Sequence, residues 1–191
     1  DFFDENSWGQ FEVTREITPF LKLEYAHDSC GDYLTLDYWT GGDANAFDVM
    51  AFAEAENVGY SRNDYDFTVV VLPFCTAHRI AGVGWIGYPG LLLHMLATDY
   101  DQSLPHELGH NMGANHASFV DEDGLRGAAA WWSETSASGW REYANPFSVM
   151  GSGRVSETDS SKHFLAVGKV FFDWIHADQL IILEPYEYND N

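Results

Sequence analysis

The sequence predicts an α+β domain, with α/β as the alternative, organised around a mixed β-sheet. Three observations carry this reading. Residues 65–72 form a nearly continuous apolar run, the pattern of a strand covered on both faces. Phe47, Met50, Ala51, Glu54 and Ala55 recur at helical spacing within residues 45–57. A glycine-rich apolar stretch at residues 80–95 then leads into a second helical segment, so strands and helices alternate along the chain.

Residues 12–23 mix β-branched and polar side chains and read as a strand, residues 33–39 as a second, with an acidic turn at 28–32 between them. The helix at 45–57 meets Gly59 as its stop signal. The strand at 65–72 is expected at the centre of the sheet. Within 80–95, large apolar residues flank Tyr88, Pro89 and Gly90, which predicts two short strands joined by a turn. A further helix is expected from Ser103, a suitable N-cap, with Pro105 in its first turn and Gly113 at its end.

Composition bounds the function. A chain of 191 residues with 46% hydrophobic and 16% aromatic content can bury a sizeable core and lacks the signature of disorder. No repeat or linker divides it, so residues 1–191 read as one domain, acting as a monomer. The formal charge of −21 repels phosphate backbones and anionic lipids, which argues against a nucleic-acid partner. With no apolar run of membrane-spanning length, insertion into a bilayer is not expected either. The acidic and aromatic residues 1–6 do not resemble a leader, so the chain reads as a mature form. Cys30 and Cys75 lack any metal-binding spacing. A disulfide in a secreted, extracellular protein is the simplest reading, stabilising by about 4 kcal/mol in the chain-entropy model. Two buried free thiols are the alternative.

The chemistry concentrates at residues 106–116, His-Glu-Leu-Gly-His-Asn-Met-Gly-Ala-Asn-His, an HExxHxxGxxH pattern. His106 and His110 lie about 40° apart on a helix, one turn removed, so both imidazoles can point at one ion. Leu104, Leu108 and Met112 fall on the roughly opposite face, expected to anchor the helix to the core. A left-handed Gly113 lets the chain turn back and bring in His116 as the third ligand. Three neutral imidazoles leave one tetrahedral position open, the arrangement of a single catalytic Zn²⁺. Glu107 lies about 100° around the helix from His106, able to reach the open position without binding the ion. Its expected role is general base toward water and then donor of that proton to the leaving group.

HExxHxxGxxH followed by a methionine turn, here Ser148 Val149 Met150 Gly151, resembles the metzincin clan of zinc endopeptidases. Ala117, after the third histidine, departs from the Glu of astacins, the Asp of adamalysins and the matrixin pattern. His116 Ala117, the stretch Tyr143 Ala144 Asn145 Pro146 Phe147 Ser148 Val149 Met150 Gly151, and the segment from His163 Phe164 to Trp174 Ile175 look most like gametolysin-type peptidases. The resemblance covers roughly residues 60–176. It implies a metzincin-type zincin fold: a twisted, mixed, five-stranded sheet with the active-site helix in an upper part (about 1–113). An irregular lower part (about 114–191) would end in a C-terminal helix, for which residues 162–175 are the natural candidate. It implies that Met150 forms a floor beneath the three imidazoles, and that residues 82–87, with Gly84, Trp85 and Ile86, form a rim whose free edge pairs with a peptide substrate. A glycine-rich internal hairpin is the alternative for that segment.

The resemblance also places the wall of the pocket after the scissile bond between the third histidine and the methionine turn, where this chain has Trp131, Trp132 and Trp140. Indoles of that volume would leave room only for Gly or Ala, or line the pocket as a flat face, or else pack into the lower core. Tyr143 is a candidate phenol near the developing oxyanion. His27, His78, His94, His163 and His176 lack the cluster's spacing and read as structural or surface residues. Asp121 Glu122 Asp123 Gly124 resembles part of a calcium loop, and Asp99 and Asp101 form another acidic pair, but the full twelve-residue pattern is missing. A solvated acidic loop is the reading, with structural Ca²⁺ as the alternative. The function expected is that of a secreted zinc endopeptidase acting on proteins, matrix or cell-wall proteins among them. A zinc hydrolase of a non-peptide substrate and an inactive binding module are the rival classes.

Overall fold

A computed structural model of the protein describes residues 2–23, 44–72, 81–94, 100–122, 125–128, 140–143, 145, 147–151 and 163–181. Over these the order is α1 (Phe2–Ser7), α2 (Ala44–Asn57), a 3-10 turn (Arg62–Asp64), β1 (Thr68–Leu72), β2 (Gly82–Gly84) and β3 (Gly90–His94). It continues with α3 (Tyr100–Asn111), β4 (Phe119–Glu122), β5 (Leu125–Ala128), β6 (Trp140–Arg141), α4 (Ala166–Phe171) and a 3-10 turn (Ala177–Gln179). Residues 28–32 and 33–39, Cys30, Cys75, Trp131, Trp132, Asp99, His27 and His78 lie outside the described residues.

One sheet is mixed, in the order β1-β3-β2, with β1 parallel and β2 antiparallel to β3. The two short strands expected within 80–95 are therefore β2 and β3. Burial centres on β3, where Leu91, Leu92 and Leu93 are all buried. Alternation along the strand sends Leu91 and Leu93 into the main core with Leu108 of α3, and Leu92 into a smaller cluster with Leu72, Val70 and Met50 of α2. This corrects the expectation that the strand at 65–72 is covered on both faces. The strand is the shorter Thr68–Leu72 and, among the described residues, lies at the sheet's edge with Val69 and Val71 exposed. An apolar run reports β propensity; it does not report which of two such runs takes the middle place.

Residues 12–23 hold no strand. They lie at the surface without regular structure, tied by side chains: the Tyr65 hydroxyl donates to Glu16 Oε2 at 2.6 Å and the Tyr60 hydroxyl to the Ile17 carbonyl at 3.4 Å. Composition alone does not make a strand: a ladder needs a partner segment, and at the surface water can satisfy the backbone instead. At the other end, α4 covers only Ala166–Phe171 of the expected 162–175 helix, because the chain turns at Asp173, which has φ 60°. There Lys169 O accepts the amides of both Trp174 and Ile175. α1 packs on this segment: Phe2 and Phe3 lie edge-on or tilted against Phe164, and Phe11 lies 5.7 Å from Trp174. Buried Asn6 donates to Phe2 O and accepts the Phe164 amide, which ties α1 to the chain just ahead of α4.

A second sheet, antiparallel in the order β5-β4-β6, follows the histidine motif. Asp121 and Glu122 stand in β4 paired with Arg126 and Leu125, so the acidic stretch read as a solvated loop begins as one arm of a hairpin. Among the described residues no helix is long and apolar enough to cross a membrane.

Candidate metal centre

α3 begins at Tyr100, so Ser103 lies inside the helix and is not its cap, and Pro105 sits buried in the interior beyond the first turn. Of the expected anchoring face, Leu108 is buried and Met112 packs against the core, but Leu104 is 36% exposed. The helix is enclosed on several sides, with Glu107, His110 and Asn111 buried as well, so its inner face is not a simple apolar stripe.

His106 and His110 project from this helix one turn apart. Gly113 follows with φ 101°, and the Gly113 and Ala114 amides close the helix end on His110 O (2.8 Å) and Gly109 O (2.9 Å). The reversal brings His116 back, with His110 Nε2 and His116 Nε2 3.0 Å apart and one donor atom from each of the three histidines within 4.8 Å of the others.

Each imidazole is held by its other nitrogen. His106 Nδ1 donates to Val149 O (2.8 Å), His110 Nδ1 to Ala114 O (2.6 Å) and His116 Nδ1 to Glu142 Oε1 (2.6 Å). These oxygens can only accept, so each neutral ring carries its proton on Nδ1 and turns a lone pair on Nε2 inward. Lone pairs 3.0 Å apart repel, and two nitrogens on one tetrahedral zinc stand about 3.3 Å apart. The three residues therefore fit a shared nitrogen-loving divalent ion of the zinc type, each with an outer partner.

The methionine turn is sewn beneath them. Ala117 N donates to Met150 O (2.7 Å), Asn145 N to Ala117 O (3.2 Å) and Val149 N to His163 O (3.0 Å). Met150 is wholly buried, and its Sδ lies so close to Gly109 that any side chain there would strike it. Gly151 backs onto the Asn145 carbonyl with equally little space.

Glu107 is buried, and burial raises its carboxyl from 4.5 to about 7, with a hydrogen bond from the Gly84 backbone opposing the shift. Burial likewise pushes His106 and His110 down to about 4, against the pull of their carbonyl partners. The two histidines of α3 are thus neutral near pH 7, so their nitrogens can receive a cation without first expelling protons.

Gly84 lies against the Glu107 backbone and Gly82 against its side chain, so β2 runs directly along α3 beside the carboxyl. Among the described residues β2 is an edge strand, so an unpaired rim lies at this point. Trp85 is half-buried with its ring 6.0 Å from Tyr88, while Ile86 is exposed. The backbone of Trp140 is placed on β6, and Tyr143 lies over the cluster, its ring centroid 3.6 Å from His116 and 5.8 Å from His106. Burial and the charge of Glu142 push its phenol up to about 12. His163 and His176 pair with Glu5 and Asp173 away from the cluster, and His94 ends β3.

Two contributors were not visible in the motif. Asn111 donates to Trp85 O (3.2 Å) and Gly90 O (2.9 Å), pinning the β2–β3 turn to the helix end. Glu142 meets His116 across 26 residues of sequence, a contact no spacing rule announces. The chain matches no protein-family model, no curated protein and no solved structure.

Proposed function

We propose that the chain is a secreted, zinc-dependent endopeptidase of the metzincin type, most like the gametolysins, with the five-stranded, two-part architecture that this implies. The observation that carries the reading is the combination of three imidazoles, each fixed through Nδ1, with one buried carboxyl between the first two on the same helix. A zinc ion held by the three Nε2 atoms supplies a Lewis acid that polarises a carbonyl and acidifies water. Glu107, a buried carboxyl on the helix between the two histidines, is placed to take a proton from water and return it to the leaving amine. The hydrogen bond from Gly84 orients that carboxyl, and the edge of β2 offers main-chain groups to an extended peptide laid beside it.

The test is metal analysis of active protein together with hydrolysis of an unfolded protein and of small amides. One zinc per chain, cleavage within the protein substrate and reversible loss on chelation are expected. Glu107→Gln should keep the metal and lose about 10²- to 10⁴-fold in turnover. Active protein free of any transition ion, or near-normal turnover in that variant, would overturn the reading.

A further inference from the structure

His116 differs from the other two histidines in what orients it. His106 and His110 stand on α3 and direct Nδ1 at main-chain carbonyls, which no substitution can remove. His116 lies beyond the helix end and directs Nδ1 at a side chain, Glu142 Oε1, at 2.6 Å. The next residue, Tyr143, lays its ring on the same imidazole, centroids 3.6 Å apart and planes inclined by 35°. Consecutive residues of a strand point to opposite faces and cannot both serve one ring. Glu142 and Tyr143 lie in the turn just after β6, and both reach the ring because Tyr143 adopts φ 61°, in the left-handed region, which folds the chain back at that point. The pairing of β6 with β4, Phe119 opposite Arg141, delivers both residues to a histidine that lies just ahead of β4.

We propose that Glu142 and Tyr143 form a side-chain clamp that positions His116 as the third metal ligand, the carboxylate fixing its tautomer and direction and the phenol ring fixing its plane. The proposal rests on the reading of the three histidines as a metal centre. Glu142 is 61% exposed, so as an ion pair it contributes little to folding. As an outer partner of a ligand it does much more, since a carboxylate on Nδ1 raises the imidazole's basicity and spares it the entropy of being oriented on binding. Glu142 and Tyr143 are positioning residues acting through His116, and the exposed carboxylate makes the third ligand the one that the surface chemistry of the protein can tune.

The experiment measures Zn²⁺ affinity of the full chain by competition with a chromophoric chelator, and the visible absorption of the Co²⁺-loaded protein, for the parent, Glu142→Ala, Glu142→Gln and Tyr143→Ala. Thermal unfolding of each metal-free variant is followed in parallel. Glu142→Ala is expected to weaken Zn²⁺ binding about 10- to 100-fold with an essentially unchanged metal-free melting temperature, and to alter the Co²⁺ spectrum. Glu142→Gln, which keeps an acceptor oxygen, should recover part of the affinity, and Tyr143→Ala should weaken binding by a smaller factor. If Glu142→Ala binds Zn²⁺ within twofold of the parent, the clamp is wrong while the metal centre stands. If the parent takes up neither ion, the metal reading fails and the clamp with it.

Discussion

Met150 lies directly under Gly109, so that a Cβ on Gly109 would stand 2.5 Å from the Met150 Sδ and 2.9 Å from a ring carbon of Phe164. The turn and the helix therefore touch through a position where the helix has no side chain, midway between Glu107 and Asn111. Gly109→Ala should lower stability even though alanine favours a helix by about 1 kcal/mol. Overpacking of about 1–3 kcal/mol outweighs that gain where the opposing atoms belong to a buried methionine and phenylalanine. Thermal unfolding decides the sign, and a raised melting temperature would show that the turn gives way freely.

Gly84→Ala tests the contact between β2 and α3. The added methyl would run into the Glu107 main chain, which cannot yield as a side-chain end does, so the strand must lift from the helix. A stability loss of about 1–3 kcal/mol is expected, together with a fall in peptide hydrolysis. Unfolding and kinetics on one preparation measure both, and a fully stable, fully active variant would refute the packing.

The pH dependence of the metal-free protein has two opposing parts. His106 and His110 titrate at about 4 when folded and near 6.5 when unfolded, so the unfolded chain alone takes up protons between those values. Stability falls as pH drops through that window, by roughly 3 kcal/mol per histidine at most. Glu107 is raised from 4.5 to about 7, so its contribution is present at low pH and is lost as pH rises from 4.5 through 7. Glu107→Gln removes only the second part and should gain on the parent as pH increases toward 8. Urea unfolding of both at several pH values measures this, and a gap between them independent of pH would contradict it.

Intact mass after alkylation, with and without reductant, tests the Cys30–Cys75 bond. A single bridged species that gains two alkyl groups only after reduction is expected, and two thiols freely alkylated in the native protein would remove the bond along with the main argument for secretion.

Cleavage specificity is expected to favour Gly or Ala after the scissile bond, with Trp131, Trp132 or Trp140 filling the pocket. Replacing one of them by Ala should shift the profile toward larger residues. A parent profile dominated by Leu or Phe would sink this assignment.

What could be read from the chain followed the range of the interactions. The three histidines, Glu107 and the left-handed Gly113 sit within eleven residues, where helical geometry fixes His106, Glu107 and His110 and the turn at Gly113 returns His116, and the structure brings the imidazoles together. Helix α2 and the β2–β3 pair were legible for the same reason. The strand expected at 12–23 failed because pairing is a property of partners, and the place of β1 beside β3 among the described strands was hidden because two apolar runs compete for one centre. α3 starts at Tyr100, ahead of the capping residue expected at Ser103, so a residue suited to a cap did not mark the start of the helix. Glu142 and Asn111 reach their partners through tertiary folding and leave no local pattern.

The packing of α1 on the segment around α4 has a bearing on the order in which the molecule assembles. The Asn6–Phe164 and Gln10–Trp174 hydrogen bonds close loops of 158 and 164 residues, among the most distant pairings a chain of 191 residues can make. Contacts of such separation are slow to form, and Phe164 also supports Gly109 and the methionine turn. The floor under the histidines is thus expected to be completed late in folding, after the helix that carries two of them. During refolding, helical signal should appear before the capacity to capture zinc, and the delay between the two should lengthen when Phe3 or Phe11 is replaced by a smaller residue.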